Sequence, residues 1–289
     1  MKYPVLNLII TVFLFWLTIQ IGRSSEEYLS YFLILTIGIM HGSNDISLIK
    51  VIQTNKTKSY RFLLLYIAFV ILAILAFFLF PFFALMSFVV ISCYHFGEQH
   101  YHHLIKKRNT TSLLFFISYG SLIFGLLFYF NFDATSAIIQ ELTNVILSEQ
   151  QFLYFLTVGG GATLITTLLN WNNFTSDFSY FQELFLLVLF TLLFQLAILL
   201  WAFAIYFVVW HSLPSLMDQI KVLYGDSSKI NFINYIKSSF IYWLVSILGL
   251  VILYFSTRYF EINFITIFFA FLAAITVPHV IVMYFLNKN

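Results

Sequence analysis

From Leu184 to Met217 the chain runs 34 residues without one charged side chain. As a single helix this stretch would be about 51 Å long at about 1.5 Å per residue, well beyond a hydrocarbon layer of about 30 Å. Similar apolar runs recur along the whole length. The 289 residues are 61% hydrophobic and 9% charged, whereas soluble domains carry about 45–50% apolar and about 25% charged residues. That leaves too little polar surface to cover a water-soluble core. The expected fold is an all-α polytopic transmembrane bundle forming one membrane domain over residues 1–289. The net charge of +2 argues against nucleic acid as a partner. Cys93 is the only cysteine, so no intrachain disulfide can form and the redox compartment is not readable from pairing.

Candidate spans are Pro4–Ile21, Tyr28–Ile49, Phe62–Phe80, Phe82–His100, Ser112–Phe130, Phe152–Leu169, Phe240–Ser256 and Phe264–Leu286, besides the long stretch. The first lacks a small-x-small cleavage site after it and reads as a retained span rather than a signal peptide. Ala134–Gln150 has acidic residues and amphipathic spacing, and reads as a surface helix. Gly159-Gly160-Gly161 implies either close helix approach or local weakening of a span. The long stretch is either one helix or two short spans turning near Leu199, although no Gly or Pro marks a turn. Basic residues favour two. With the Val51–Arg61 loop cytoplasmic, two spans leave only Arg23 and Arg258 outside and twelve basic residues inside, against nine inside and five outside for one span. The expectation is therefore about ten membrane helices with a cytoplasmic N-terminus.

Seven histidines are present: His41, His95, His100, His102, His103, His211 and His279. In the ten-helix arrangement His41, His95, His211 and His279 lie on four helices that run in one direction. Each sits about 18 to 24 Å from the outer end at helical rise. Ionisable groups within a membrane are costly and usually mark function, and imidazole suits zinc, copper, iron and nickel. Four at one depth point to a metal. Residues that would orient these ligands stand close by. Asp45 follows His41 by one turn, where it could accept the ring N–H. Glu98 and Gln99 follow His95, Ser215 follows His211, and Pro278 precedes His279. His100, His102 and His103 precede Lys106-Lys107-Arg108 and read as interfacial and solvated.

These contexts resemble the Brp/Blh family of membrane β-carotene 15,15′-dioxygenases. The resemblance rests on His-Gly-x-x-Asp at His41–Asp45, Tyr-His-Phe-Gly at Tyr94–Gly97, Tyr-Phe-x-x-Trp-His-Ser at Tyr206–Ser212, and Pro-His at Pro278–His279. It implies a non-haem Fe(2+) enzyme that uses O2 to split β-carotene into two retinals, with a functional link to a microbial rhodopsin. It also implies an inner-membrane, multi-pass location in contact with lipid. By matching motif, His41, His95 and His211 would be iron ligands. The family commonly places a histidine four residues after the position of His211. Ser215 stands there, which leaves the fourth ligand to His279 or to a water. Gln99 stands where an acidic residue is common. Tyr206 and Trp210 are candidate polyene contacts, being one turn and one residue before His211.

The spacing of His95, His100, His102 and His103 superficially resembles the boxes of a membrane di-iron desaturase or hydroxylase, but two metals need about eight histidines. A transporter would show inverted repeats and broken helices, and no repeat is detectable. A non-catalytic carotenoid or retinal carrier is the third alternative.

Overall fold

A computed structural model describes residues 3–52, 56–257 and 262–286. Lys2, Arg258 and Lys288, which enter the loop-charge argument, lie outside the described residues. The described residues form a helical bundle without a strand; a single bridge pairs Ile105 with Phe174. In chain order the helices are α1 (Tyr3–Gln20), α2 (Arg23–Val51), α3 (Lys56–Leu79), α4 (Pro81–Tyr101), α5 (Thr110–Phe130), α6 (Phe132–Thr143), α7 (Glu149–Leu169), α8 (Tyr180–Leu196), α9 (Leu199–Tyr224), α10 (Lys229–Thr257) and α11 (Phe264–Leu286). Among the described residues eight helices are long and apolar enough to cross a membrane, and α1 and α8 provide two shorter apolar segments. Phe78 and Phe181 are 83% and 82% exposed. Large rings so exposed are stable against lipid, not water.

Several boundaries differ from the hydropathy reading. The expected surface helix Ala134–Gln150 is α6, which ends at Thr143; Asn144 then adopts a positive φ of 58°. The next helix starts at Glu149, three residues before Phe152, because Ser148 and Gln151 form a reciprocal capping box. Helix α10 begins eleven residues before Phe240. Lys237 depresses the hydropathy there without disturbing the backbone ladder.

The chain divides into two compact units. The first comprises Met1–Leu33, Val89–Gln140 and Val145–His211. Here α4, α5 and α7 meet at contacts too close for side chains. A Cβ at Gly97 would lie 2.0 Å from the Phe116 carbonyl oxygen, and one at Gly120 would lie 1.9 Å from that of Cys93. Only glycine permits this crossing of α4 and α5. Gly159 is likewise close, 3.0 Å from Ser121, while Gly161 meets nothing within 4 Å. Helix α7 stays unbroken through all three glycines, and close approach holds at Gly159 alone of the three.

The same unit contains the interruption of the long apolar stretch. Ala197 and Ile198 are extended between α8 and α9. A helix break in lipid exposes backbone groups that water cannot reach. Glu26 Oε2 accepts the Ile198 N–H at 2.9 Å, and Asn131 Nδ2 donates to the Phe194 carbonyl at 3.1 Å. Trp201 Nε1 donates to Thr18 Oγ1 at 2.8 Å and ties the start of α9 to α1. Distant polar side chains thus do the work for which a local Gly or Pro would have been the signal.

The second unit comprises Ile34–Phe88, Glu141–Asn144 and Ser212–Asn289. Leu48 and Ile49 of α2 pack with Val282 and Met283 of α11, flanked by Phe62 and Tyr66 of α3. Glu141 receives the Asn263 N–H and the Thr266 hydroxyl at the start of α11. Helix α2 is irregular: a π turn spans Ile34–Gly38 and a bend falls at Ser43–Asn44.

Candidate metal centre

In the second unit, the stretch between the π turn and the bend carries His41, which is 5% exposed. Its Nδ1 faces the Gly38 carbonyl. A carbonyl oxygen only accepts, so Nδ1 carries the proton and the neutral ring keeps its lone pair on Nε2. His279 on α11 has the same arrangement with a different acceptor. Its Nδ1 lies 2.8 Å from Asp45 Oδ1, while Asp45 Oδ2 accepts the Tyr66 hydroxyl at 3.2 Å. The rings of His41 and His279 stand perpendicular with centroids 4.9 Å apart.

This corrects the pairing expected from spacing, which assigned Asp45 to His41. The bend between them replaces an i−4 hydrogen bond by one from Ser43 N–H to Met40 O at 3.2 Å. Asp45 consequently leaves the face occupied by His41. Gly42 also proves less demanding than its place in the motif suggests: a Cβ there would meet the His279 ring at 3.6 Å, an ordinary contact.

In the first unit, His95 on α4 and His211 on α9 bring their rings to 4.6 Å, tilted by 73°. Both are almost wholly buried, at 1% and 2% exposure. The Gly97–Phe116 contact one half-turn on presses this part of α4 against α5. His211 lies within a second π turn, Tyr206–Ser212. Phe207, four residues earlier, stacks on it at 5.6 Å and 13°, and Phe96 meets its edge at 4.3 Å. One π turn thus holds His211 and the other ends three residues before His41; such insertions are rare and frequently mark functional sites.

Two imidazole pairs, each buried within its own unit, stand on the four motifs of the sequence. A family model described as beta-carotene 15,15′-dioxygenase matches residues 32–287. The chain belongs to the β-carotene 15,15′-dioxygenase family. No curated protein and no solved structure matches it. Membership supports carotenoid 15,15′-dioxygenase activity in general, and the matched segment contains all four motifs.

The remaining residues of this dioxygenase-family chain fall as follows. Glu98 is 1% exposed and accepts from the Tyr94 hydroxyl at 2.8 Å and from the Arg108 guanidinium. It ties α4 to the following loop. Gln99 is buried, and its backbone carbonyl lies 3.2 Å from His102 Nδ1. Ser215 Oγ accepts from Gln219 Nε2 at 3.1 Å. Tyr206 is 4% exposed and packs on Phe190 and Phe96 at 5.2 and 6.0 Å. Trp210 Nε1 donates to Thr11 Oγ1 at 2.8 Å, so it anchors α1 to α9.

His100 does not have the solvated, interfacial position expected of it. Its side chain is 5% exposed and its Nε2 lies 3.5 Å from Glu183 Oε2. Its ring stacks on Trp210 at 5.4 Å. Tyr101 donates to the same Glu183 oxygen at 2.6 Å. His102 and His103 lie together, centroids 3.6 Å apart. Tyr66, Gln219, Tyr235 and Glu183 also contact the site residues and were not among those expected from the sequence. Tyr66, Tyr235 and Glu183 lie on helices remote in sequence from Asp45, His41 and His100, and Gln219 lies one turn after Ser215; none carries a local signal.

Proposed function

We propose that this chain is a non-haem iron(II) dioxygenase that splits β-carotene at its central 15,15′ double bond. Each half would receive one atom of O2, giving two molecules of all-trans-retinal. The observation that carries this reading is the state of the His41 and His279 rings. Both fix Nδ1–H on an oxygen acceptor and so present Nε2 as the metal-binding nitrogen, the usual arrangement of ligating histidines. His95 and His211 supply two further buried imidazoles.

The donor set fits iron: neutral imidazoles suit a divalent first-row metal. His41, His95, His211 and His279 would hold it. Bound iron would supply a redox-active centre that engages O2. The chain's own residues do the rest. Gly38 and Asp45 fix the tautomers, while Phe96 and Phe207 keep water from the His95–His211 pair. An uncharged polyene dissolved in the bilayer reaches a site among helices without crossing water. This fits a membrane location; we further take it to be the inner membrane, with the retinal supplied to a microbial rhodopsin.

The di-iron reading finds little support, because His100 engages Glu183 rather than joining a histidine box. The test is to express the chain in cells that accumulate β-carotene, measure retinal by chromatography, and measure iron in the purified protein. Retinal with about one iron per chain is expected; iron-loaded protein beside undiminished β-carotene would overturn the reading.

A further inference from the structure

The backbone that carries His41 is broken on both sides, and one helix supplies hydrogen-bond donors to both breaks. The π turn before His41 and the bend after it interrupt the regular ladder. In lipid, the carbonyls at such breaks need donors from protein. Helix α10 provides them. Trp243 Nε1 donates to the Leu35 carbonyl at 2.6 Å. Two turns earlier, the Tyr235 hydroxyl lies 3.1 Å from the His41 carbonyl and 3.4 Å from that of Met40.

Tyr235 is 0% exposed and belongs to a buried chain of polar groups. Its hydroxyl, whose single proton is shared among these acceptors, also lies 2.8 Å from Gln219 Oε1, and Gln219 Nε2 donates to Ser215 Oγ at 3.1 Å. In return, Asn44 at the bend donates to the Tyr235 carbonyl at 3.2 Å. Gln219, Ser215 and Asn44 are each 0% exposed. These groups are shielded from bulk solvent, and hydrogen bonds so shielded are stronger than in water.

We infer that Tyr235 is a positioning residue for His41. It holds the His41 carbonyl, and through it the ring, at the place a metal ion requires, with Gln219 and Ser215 bracing the hydroxyl and Trp243 bracing the π turn. Ser215 acts here through this chain and not as a ligand. The inference rests on the metal-site reading above.

The test is cobalt(II) titration of the purified, metal-free full chain in detergent, followed by the visible absorption of the bound ion. Tyr235→Phe keeps the ring and removes only the hydroxyl. We expect about tenfold weaker cobalt binding with a shifted ligand-field band, as for other groups that orient metal ligands. Gln219→Met should give a smaller loss with a shift in the same direction, and Trp243→Phe likewise. Ser246→Ala, whose hydroxyl bonds only to the Tyr242 carbonyl of its own helix at 3.0 Å, should bind as the parent does. A purely structural role would lower thermal stability in Tyr235→Phe but leave the affinity and spectrum of folded protein unchanged; that result overturns the inference. Should Tyr235→Phe fail to fold, unchanged binding and spectrum in Gln219→Met would overturn it equally. Failure of the parent chain to bind cobalt would remove the metal-site reading itself, and this inference with it.

Discussion

Asp45 and His279 are 234 residues apart in the chain and 2.8 Å apart in the structure. The carboxylate sits just past a bend in one helix and the imidazole just past a proline in the last. Asp45 bonds with one oxygen to His279 and with the other to Tyr66, so its orientation is set from two sides.

Asp45→Ala should therefore weaken iron binding about 10- to 100-fold, the usual effect of losing a carboxylate that orients a ligating histidine. Asp45→Asn retains an acceptor and should fall between the two. Iron per chain after dialysis against graded chelator measures both. An Asp45→Ala protein that folds and holds iron as tightly as the parent would show that the carboxylate orients nothing.

Alanine at His41, His95, His211 or His279 should each abolish retinal formation in a β-carotene-accumulating host. His103→Ala, at an exposed position, should leave it intact. Equal loss at His103 would favour a histidine-box metal site over the proposed one.

Gly97→Ala should destabilise strongly, because its Cβ would fall 2.0 Å from a backbone oxygen that cannot swing aside. Overpacking typically costs about 1–3 kcal/mol, and a backbone clash belongs at the upper end. Gly161→Ala meets open space and should be neutral or slightly stabilising. Thermal unfolding in one detergent compares the two.

Glu26→Ala removes the acceptor of the Ile198 N–H at the break between α8 and α9. Leaving a buried donor unmet costs about 1–3 kcal/mol. Glu26→Gln keeps an acceptor oxygen and should lose less. Equal stability of all three proteins would show that the break does not depend on Glu26.

Glu141 should give the fold a pH dependence. Burial pushes its carboxyl up, but hydrogen bonds from Thr266 and Asn263 outweigh this and hold it below the usual glutamate range. A depressed folded value means the unfolded state takes the proton first on acidification. The stabilisation is thus complete above the ordinary glutamate range and fades as pH falls through the lower folded value. Glu141→Gln should flatten the acid side of the stability profile. A mutant profile parallel to that of the parent would mean that Glu141 contributes none of the slope.

The apolar runs, the approximate spans and the four motif histidines are legible in the sequence, because hydropathy is a sum over neighbouring residues and needs no partner. The interruption of the 34-residue stretch was readable only indirectly, from the distribution of lysine and arginine. Its physical means, Glu26 and Asn131, lie on other segments. Tertiary structure alone decided that Asp45 serves His279 and not His41, that His100 is buried on Glu183, and that α2 and α9 each contain a π turn. A hydrogen bond forms with whatever partner folding brings within about 3 Å. One bend in a helix is enough to redirect a carboxylate from a neighbour four residues away to one at the far end of the chain.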